Sequence, residues 1–277
     1  MSANITAADV KKLREMTGAG MMDCKKALAE AEGDFDKAIE LLRKKGQKVS
    51  AKRADREANE GVVIAEISGD KKRGVIVKLS CETDFVAKGE DFIGFTQKAA
   101  SLALQHFPAS LDDLLKLDMD GLPLADRVTE LVGKINEKIE LAAYERMEAG
   151  MVCPYIHMGN KAAVLVGLNK GNADYYDAGR DVAMQVAAMH PVAVDKDGVD
   201  HRTIEKEIEI GKEQARQEGK PEQILEKIAQ GKLEKFFKDN TLLNQQFVKD
   251  SKMTVREYLQ SFDKELTVTD FKHVTLG

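Results

Sequence analysis

The sequence contains few aromatic residues and no tryptophan. Ten phenylalanines and five tyrosines are spread over 277 residues. Proteins that bind single-stranded nucleic acid stack bases on such rings, and nucleic-acid-binding domains are usually basic. This chain instead has a formal net charge of −5. We therefore do not expect a direct nucleic-acid partner.

Cysteine is also scarce, and the cysteines lie far apart. Cys24, Cys81 and Cys153 are odd in number and form no Cys-x-x-Cys pair. A disulfide framework or a zinc ribbon needs paired cysteines at short spacing. We expect three packed thiols in a reducing compartment, and hence a cytoplasmic protein.

Long apolar runs are missing as well. No run approaches the ~20 residues that span a bilayer, and the first residues lack the basic start and apolar centre of a secretory signal. We therefore expect neither a membrane protein nor a secreted one. An intracellular enzyme and a protein-binding factor remain as the two classes.

Catalytic motifs are absent from the sequence. It has no glycine-rich phosphate loop and no nucleophile elbow, and its five histidines stand alone, which predicts neither a metal site nor a cofactor. Cys81 stands close to two acidic residues, Glu82 and Asp84, whose charges disfavour a thiolate. We predict that the chain is not an enzyme and keep a thiol enzyme built on Cys81 as an alternative.

Residues 1–46 have the pattern of a compact three-helix module. Thr6, followed three residues later by Asp9, resembles a capping box at the start of the first helix. Gly46 follows three basic residues, as at a helix C-terminus. We therefore predict three helices, the last of which ends at Gly46, and a polar linker over residues 47–60.

A basic run overlaps this linker. Seven basic residues and one acidic residue lie between Arg43 and Arg56. Such a charge is typical both of a segment that contacts RNA or the ribosome and of a solvated tether. Because no aromatic or glycine pattern accompanies the charges, we favour the tether and keep RNA contact as the alternative.

The middle of the chain changes to the alternating period of β-strands. Residues 62–79 predict a β-hairpin, which an amphipathic helix around residues 92–102 follows. Residues 152–168 and then 182–189 repeat this order. We predict an α+β fold with two similar core subdomains, the second completed by a strand from the tail. Their predicted extents are 61–149 for the first and 150–200 plus 239–277 for the second.

Residues 201–238 combine dense charge with a narrow apolar stripe. Nine basic and eight acidic side chains occupy this segment, and Gly219-Lys220-Pro221 interrupts it. We predict a protruding antiparallel coiled-coil hairpin, and the apolar seam of its second helix is predicted to contain Ile224, Ile228, Phe236 and Phe237. Three roles stay open for the hairpin: formation of a homodimer, contact with a partner protein, and simple projection into solvent.

Two segments place apolar side chains in unusual positions. Met21 and Met22 are adjacent, so only one of them can face a small core from a helix. Phe85 stands beside Asp84 directly after a predicted strand. The simple interpretations are core packing of one methionine and burial of Phe85 beneath a helix capped by Thr83 or Asp84. Contact with a partner protein is the alternative for both segments.

The same two segments carry a family resemblance. Residues 10–28, which include Thr17-Gly18-Ala19-Gly20-Met21-Met22-Asp23, and residues 81–88, which read Cys-Glu-Thr-Asp-Phe-Val-Ala-Lys, resemble the two most characteristic stretches of bacterial elongation factor Ts. Both match nearly residue for residue, in the family's order and separation. The resemblance implies an N-terminal module similar to ubiquitin-associated domains, two related α+β subdomains and a coiled-coil hairpin.

The resemblance also implies a function without covalent chemistry. Members of the family are guanine-nucleotide exchange factors for elongation factor Tu, the GTPase that delivers aminoacyl-tRNA to the ribosome. Such a factor binds the nucleotide-free GTPase more tightly than the GDP-bound form, so it weakens GDP binding in return. The expected partner is therefore elongation factor Tu, with no cofactor and no membrane.

The resemblance assigns roles to individual residues. Four of them would form a wedge segment, in which Phe85 enters an apolar pocket of the GTPase and Asp84 disturbs the surroundings of its Mg²⁺. The wedge segment is Thr83, Asp84, Phe85 and Val86. The N-terminal surface that docks on the GTPase would be Arg14, Met21 and Met22, and further core contacts would be Val132, Gly133 and His157.

Two features depart from the family pattern. His157-Met158-Gly159 stands where the family more usually has His-Gly. Some members also continue beyond the last strand into a C-terminal helix that contacts the GTPase. Since the sequence ends at Gly277, we expect that contact to be missing.

Overall fold

The structure is a computed structural model that describes residues 5–276. The helices in chain order are α1 (Ala7–Thr17), α2 (Met21–Glu30), α3 (Phe35–Arg53), α4 (Asp84–Ala87), α5 (Glu90–His106), α6 (Leu111–Lys116), α7 (Leu124–Ile135), α8 (Tyr176–Met189), α9 (His201–Gln217), α10 (Glu222–Asn240) and α11 (Val255–Gln260). The strands are β1 (Glu60–Ile67), β2 (Arg73–Cys81), β3 (Asp118–Met119), β4 (Leu122–Pro123), β5 (Ile139–Glu148), β6 (Met151–Ile156), β7 (Ala162–Leu168), β8 (Gln246–Phe247), β9 (Asp250–Thr254) and β10 (Val268–Thr275). The predicted α+β class is confirmed.

Helices α1, α2 and α3 enclose a small core of their own. The predicted capping box is present, since Thr6 Oγ1 accepts from the Asp9 backbone N–H and the Thr6 backbone N–H donates to the Asp9 carboxylate. Gly18 ends α1 at a left-handed φ of 65°, and the Asp34 carboxylate caps α3. The buried side chains of this core are Val10, Leu13, Cys24, Ala27, Leu28, Ala31 and Ala38. The likeness of this module to ubiquitin-associated domains stays a prediction.

The third helix is longer than predicted. It continues through Gly46 to Arg53, so the predicted helix end and the predicted linker over residues 47–53 are wrong. Gly46 lies where α3 crosses α7, and a Cβ atom there would come within 2.9 Å of the Thr129 carbonyl oxygen. A Cβ atom on Gly133 would lie 3.1 Å from the Gly46 Cα atom. Gly46 is therefore a packing residue that lets two helix backbones approach closely, not a stop signal.

Two three-stranded antiparallel sheets form the centre of the molecule. The first has the strand order β1-β2-β5 and the second β10-β7-β6. Alternate residues of the first hairpin face opposite ways. Val62 and Val77 pack with α5 in one hydrophobic core, called the first core below, whereas Val63 and Ile76 lie with Leu165 in a cluster between the two sheets. Burial on both faces explains why these strands have near-continuous apolar sequences.

The second sheet repeats the hairpin-then-helix order of the first. Helix α8 packs on β6 and β7, and Val182 and Val186 of this helix contact Val164 and Val166 of β7 in one core. The tail strand β10 pairs antiparallel with β7, which confirms the predicted contribution of the tail to this sheet. Both sheets thus receive their third strand from a later part of the chain.

Helices α9 and α10 pack against each other as an antiparallel pair. Lys212 pairs with Glu226, and Arg216 pairs with Glu222, at N–O distances of 2.6 and 2.8 Å. The prediction for the apolar seam of α10 is confirmed at Phe237, which is buried, and is wrong at Ile224, which is 41% exposed. The buried stripe of α10 consists of Leu225, Ala229, Leu233 and Phe237. A coiled coil and a homodimer through these helices stay predictions.

Candidate partner-docking site

The segment after β2 presents an aromatic ring to solvent. Phe85 is 86% exposed, although it lies within the short helix α4. The predicted cap is present, since the Val86 backbone N–H donates to Thr83 Oγ1 at 3.4 Å. The predicted burial of Phe85 beneath that cap is wrong, because Ala87 fills the buried side of the turn. Leaving such a ring in water forgoes roughly 1.5–3 kcal/mol of burial free energy, which a partner surface would recover.

Asp84 projects next to Phe85 as a charged group. Lys88 Nζ donates to Asp84 Oδ2 at 2.6 Å, and both side chains are exposed. This hydrogen bond holds the pKa of the Asp84 carboxyl below its ordinary value, so the group is anionic at neutral pH. Val86, by contrast, packs partly buried against the first core. In the wedge segment, Thr83 and Val86 are therefore held by the rest of the protein. The side chains of Asp84 and Phe85 project into solvent, and we call these two the free residues.

Thr83 anchors the wedge segment to the turn before β5. Its backbone N–H donates to Glu137 Oε2 at 3.1 Å, and its hydroxyl donates to Glu137 Oε1 at 2.8 Å. The buried Cys81 thiol donates to the Thr83 carbonyl oxygen at 3.2 Å. Hydrogen bonds from both sides thus fix the backbone that enters α4.

Glu82, one residue earlier, accepts three hydrogen bonds. Arg53 Nη1 donates to Oε1 at 2.7 Å, Arg56 Nη1 to Oε2 at 2.9 Å, and the Lys138 backbone N–H to Oε1 at 2.6 Å. Burial alone would raise the pKa of Glu82, but these donors outweigh it and lower the pKa to about 2. The anchoring contacts of Glu82 and Glu137 were not predicted from the sequence, because their partners lie far away in the chain.

A pH dependence of stability follows from this cluster. The Glu82 pKa is depressed from 4.5 to about 2, so its stabilising contribution is present above pH 4.5 and is lost as the pH falls toward 2. We expect wild-type protein to lose more unfolding free energy over this range than Glu82→Gln, whose side chain does not titrate. Urea denaturation at several pH values measures the difference. Equal losses in the two proteins would contradict this assignment.

The N-terminal surface exposes both of its methionines. Met21 is 58% and Met22 63% exposed, so the predicted core packing of one of them is wrong. Cys24, Ala27 and Leu28 of α2 fill the core instead. The two methionines line an open groove between α1 and α2 together with Ile5, Thr6, Ala7, Val10, Lys11, Arg14 and Lys25. The groove joins apolar side chains to a basic rim.

The remaining predicted contacts lie elsewhere. Val132 is 1% exposed in the first core, and Gly133 packs against Gly46, so both make contacts within the chain. His157 is exposed, with its Nδ1 atom 3.2 Å from the Tyr155 hydroxyl. The structure thus brings the wedge residues together and groups Arg14 with Met21 and Met22, but it buries Val132.

Met158 is a further exposed apolar side chain, and no role was predicted for it from the sequence. It is 87% exposed at the tight turn between β6 and β7, where Gly159 and Asn160 both have positive φ values. The Gly-Asn pair after a long apolar side chain is the sequence signal that could have identified it.

The three thiols are buried. Burial raises the pKa of Cys81 and of Cys153 to about 12 and also raises that of Cys24. A thiol held protonated and away from solvent is a poor nucleophile, which disfavours the thiol-enzyme alternative. Over residues 5–276, no group of three or more histidine, cysteine or acidic side chains is placed to hold a metal ion. No helix in this range is long and apolar enough to cross a membrane.

The basic run from Arg43 to Arg56 is largely paired within the chain. Five of its seven basic side chains contact carboxylates; the pairs are Arg43–Glu130, Lys44–Glu40, Lys45–Asp23, Arg53–Glu82 and Arg56–Glu82. Three of these pairs, those of Arg43, Lys45 and Arg53, connect α3 to other parts of the chain, and the last of them reaches the residue before the wedge segment. They favour a structural role for the run over both the tether and the RNA contact.

Comparison with known proteins gives consistent matches. The family described as Elongation factor TS matches residues 82–277. Elongation factor Ts of Christiangramia forsetii is 56% identical over 275 residues, covering 99% of this chain and 100% of that protein. Elongation factor Ts of Amoebophilus asiaticus is 57% identical, covering 99% of both chains. Elongation factor Ts of Flavobacterium psychrophilum is 52% identical, covering 99% of this chain and 100% of that protein.

Proposed function

This chain belongs to the elongation factor Ts family, and on that premise we propose that it is a guanine-nucleotide exchange factor for elongation factor Tu. It would bind the GDP-loaded GTPase in the cytoplasm, promote release of GDP and so allow GTP to load. The observation that carries the proposal is the exposed Phe85 ring beside the Asp84 carboxylate. Neither side chain is needed for the core of this protein, and both stand where a partner can reach them.

The two free residues of the wedge segment would act differently. Phe85 is the apolar element, and its burial in a pocket of the GTPase would supply binding free energy that is absent in the unbound chain. Asp84 is the charged element, and carboxylate oxygens are ligands that Mg²⁺ prefers. An anionic group close to the ion that holds GDP would compete with the phosphates for it and weaken their hold.

The N-terminal surface would supply affinity. Exposed methionines are flexible apolar side chains that adapt to a partner helix, and Arg14 adds a charge at the rim of the groove. Because the N-terminal surface is separate from the wedge segment in sequence, binding of the GTPase and displacement of GDP would depend on different residues.

Thermodynamic linkage gives a test of the proposed function. A factor that lowers the affinity of the GTPase for GDP must itself bind the nucleotide-free GTPase more tightly than the GDP-bound form, by the same factor. Titration calorimetry of the chain against elongation factor Tu in both states measures this ratio. Equal affinities for the two states would rule out the exchange role.

Loss of the two exposed methionines is expected to weaken binding. Replacing Met21 and Met22 together by alanine should raise the concentration of chain needed for half-maximal exchange about tenfold, because clustered anchors carry most of an interface's energy. The maximal exchange rate and the unfolding temperature should change little, since both side chains are exposed.

Met189→Ala is the matched control for this double variant. Met189 is 46% exposed at the end of α8 and lies outside both proposed docking surfaces. It should leave the half-maximal concentration unchanged. If the double variant also behaved as wild type, the N-terminal surface would not be the docking site.

A further inference from the structure

Glu82 lies at the junction between the wedge segment and the N-terminal module. Its ion pair with Arg53 is the least exposed in the part of the chain that the structure describes, with side-chain exposures of 15% for Arg53 and 17% for Glu82. Arg53 is the last residue of α3, and Glu82 immediately precedes Thr83. The ion pair therefore joins the last helix of the N-terminal module to the residue that precedes the wedge segment.

We infer that Glu82 is the positioning residue of the wedge segment and holds Asp84 and Phe85 at a fixed orientation relative to α3. The inference rests on the proposed exchange function and deepens it. Glu82 itself would not touch the GTPase, because its carboxylate is occupied by Arg53, Arg56 and the Lys138 backbone N–H.

Helix α4 is too short to fix its own orientation. It spans only Asp84–Ala87, and a single helical turn is not stable without outside contacts. Ala87 and Val86 pack one side of this turn against the core that includes α5. The polar contacts at its base are those of Glu82, the hydrogen bond from the Cys81 thiol and the two hydrogen bonds from Thr83 to Glu137. An exposed ring at the tip of so short an element keeps one direction only if its base is fixed.

The residues around Glu82 also fix the end of α3. Lys138 Nζ donates to the carbonyl oxygens of Ala54 and Arg56 at 3.0 and 2.9 Å. Its backbone N–H donates to Glu82 at 2.6 Å. One residue thus connects the chain just after α3 to the carboxylate that precedes the wedge segment.

Helix α3 lies between the two proposed docking surfaces. The N-terminal surface lies on α1 and α2, and α3 packs against α2 at one end and against Glu82 at the other. Two contacts on one partner bind best when the protein holds them at the spacing of their sites, because less freedom is then lost on binding. Glu82 with its partners Arg53, Arg56 and Lys138, which together form the Glu82 cluster, would hold the two docking surfaces at that spacing.

A double-mutant cycle tests the inference. Glu82→Gln should lower the efficiency of GDP release about tenfold in the wild-type background, because the wedge loses its orientation. In a Phe85→Ala background the same change should cost less than about twofold, since the aromatic ring, one of the two side chains that it positions, is already gone. Its effect on unfolding temperature should be equal in the two backgrounds.

Two further variants keep the test interpretable. Arg56→Gln removes one donor from a side chain that is 55% exposed, so the protein should fold, and it should show the same dependence on Phe85 with a smaller loss. Glu148→Gln, in an exposed pair with Arg73, is the control and should exchange as wild type.

The outcomes separate the inference from the proposed function. Equal losses in both backgrounds, or full activity of Glu82→Gln beside an active wild type, would overturn the positioning role alone. A wild-type chain that leaves GDP release unchanged would overturn the exchange function and the positioning role together.

Discussion

Replacement of Phe85 by alanine is expected to slow catalysed GDP release by about thirtyfold, the scale of a binding hot spot. The unfolding temperature should stay almost unchanged. The reason is the 86% exposure of the ring, which leaves it almost no contacts to lose within the chain. Stopped-flow release of fluorescent GDP and a thermal melt measure the two effects on the same preparation.

Phe92→Ala is the matched control for this result. Phe92 is 1% exposed in the first core, only seven positions along the chain. A buried aromatic truncated to alanine typically costs about 3–5 kcal/mol, so this variant should lose stability heavily. If Phe85→Ala destabilised the protein by a similar amount and exchanged normally, Phe85 would be a structural residue and not part of a wedge.

Replacement of Gly46 by valine is expected to destabilise the protein by about 2 kcal/mol, because the added side chain overpacks a helix crossing. The Cβ atom would meet a backbone carbonyl oxygen, Thr129 O, at 2.9 Å, and backbone cannot turn aside as a side chain can. The helices α3 and α7 would have to separate. Urea denaturation of the purified variant measures the loss.

Gly231→Ala provides the opposite expectation. Gly231 lies inside α10, where an added Cβ atom would point into open space, so alanine should gain up to about 1 kcal/mol from helix propensity. A Gly46→Val protein as stable as wild type would mean that the close approach of α3 and α7 is not required for packing.

Local patterns predicted the elements that depend on neighbours in the sequence. The capping box at Thr6 and Asp9 and both β-hairpins formed as expected, because their signals lie within a few residues. Gly46 misled the prediction for the opposite reason. A glycine is required at position 46 because Gly133 and Thr129, more than 80 positions away in the chain, pack against it. A glycine that allows close packing of two helices has the same sequence signature as a glycine that ends a helix.

The candidate site was predictable in its residues but not in its geometry. The sequence around Phe85 fits a cap with the ring beneath it as well as a cap with the ring outside, since Thr83 caps α4 in both cases. The position of the ring depends on which side of the turn faces the core, and Ala87 occupies that side. The Glu82 cluster was not predicted, because Arg53 and Lys138 approach it only in the folded chain.

The central claim is that this chain accelerates GDP release from elongation factor Tu through its wedge segment. The most direct measurement follows the dissociation of fluorescent GDP from the purified GTPase as the concentration of the chain is increased. We expect the release rate to rise with concentration and then reach a plateau, and to rise far less with Phe85→Ala. A rate that stays at the spontaneous value at micromolar concentrations of the wild-type chain would contradict the claim.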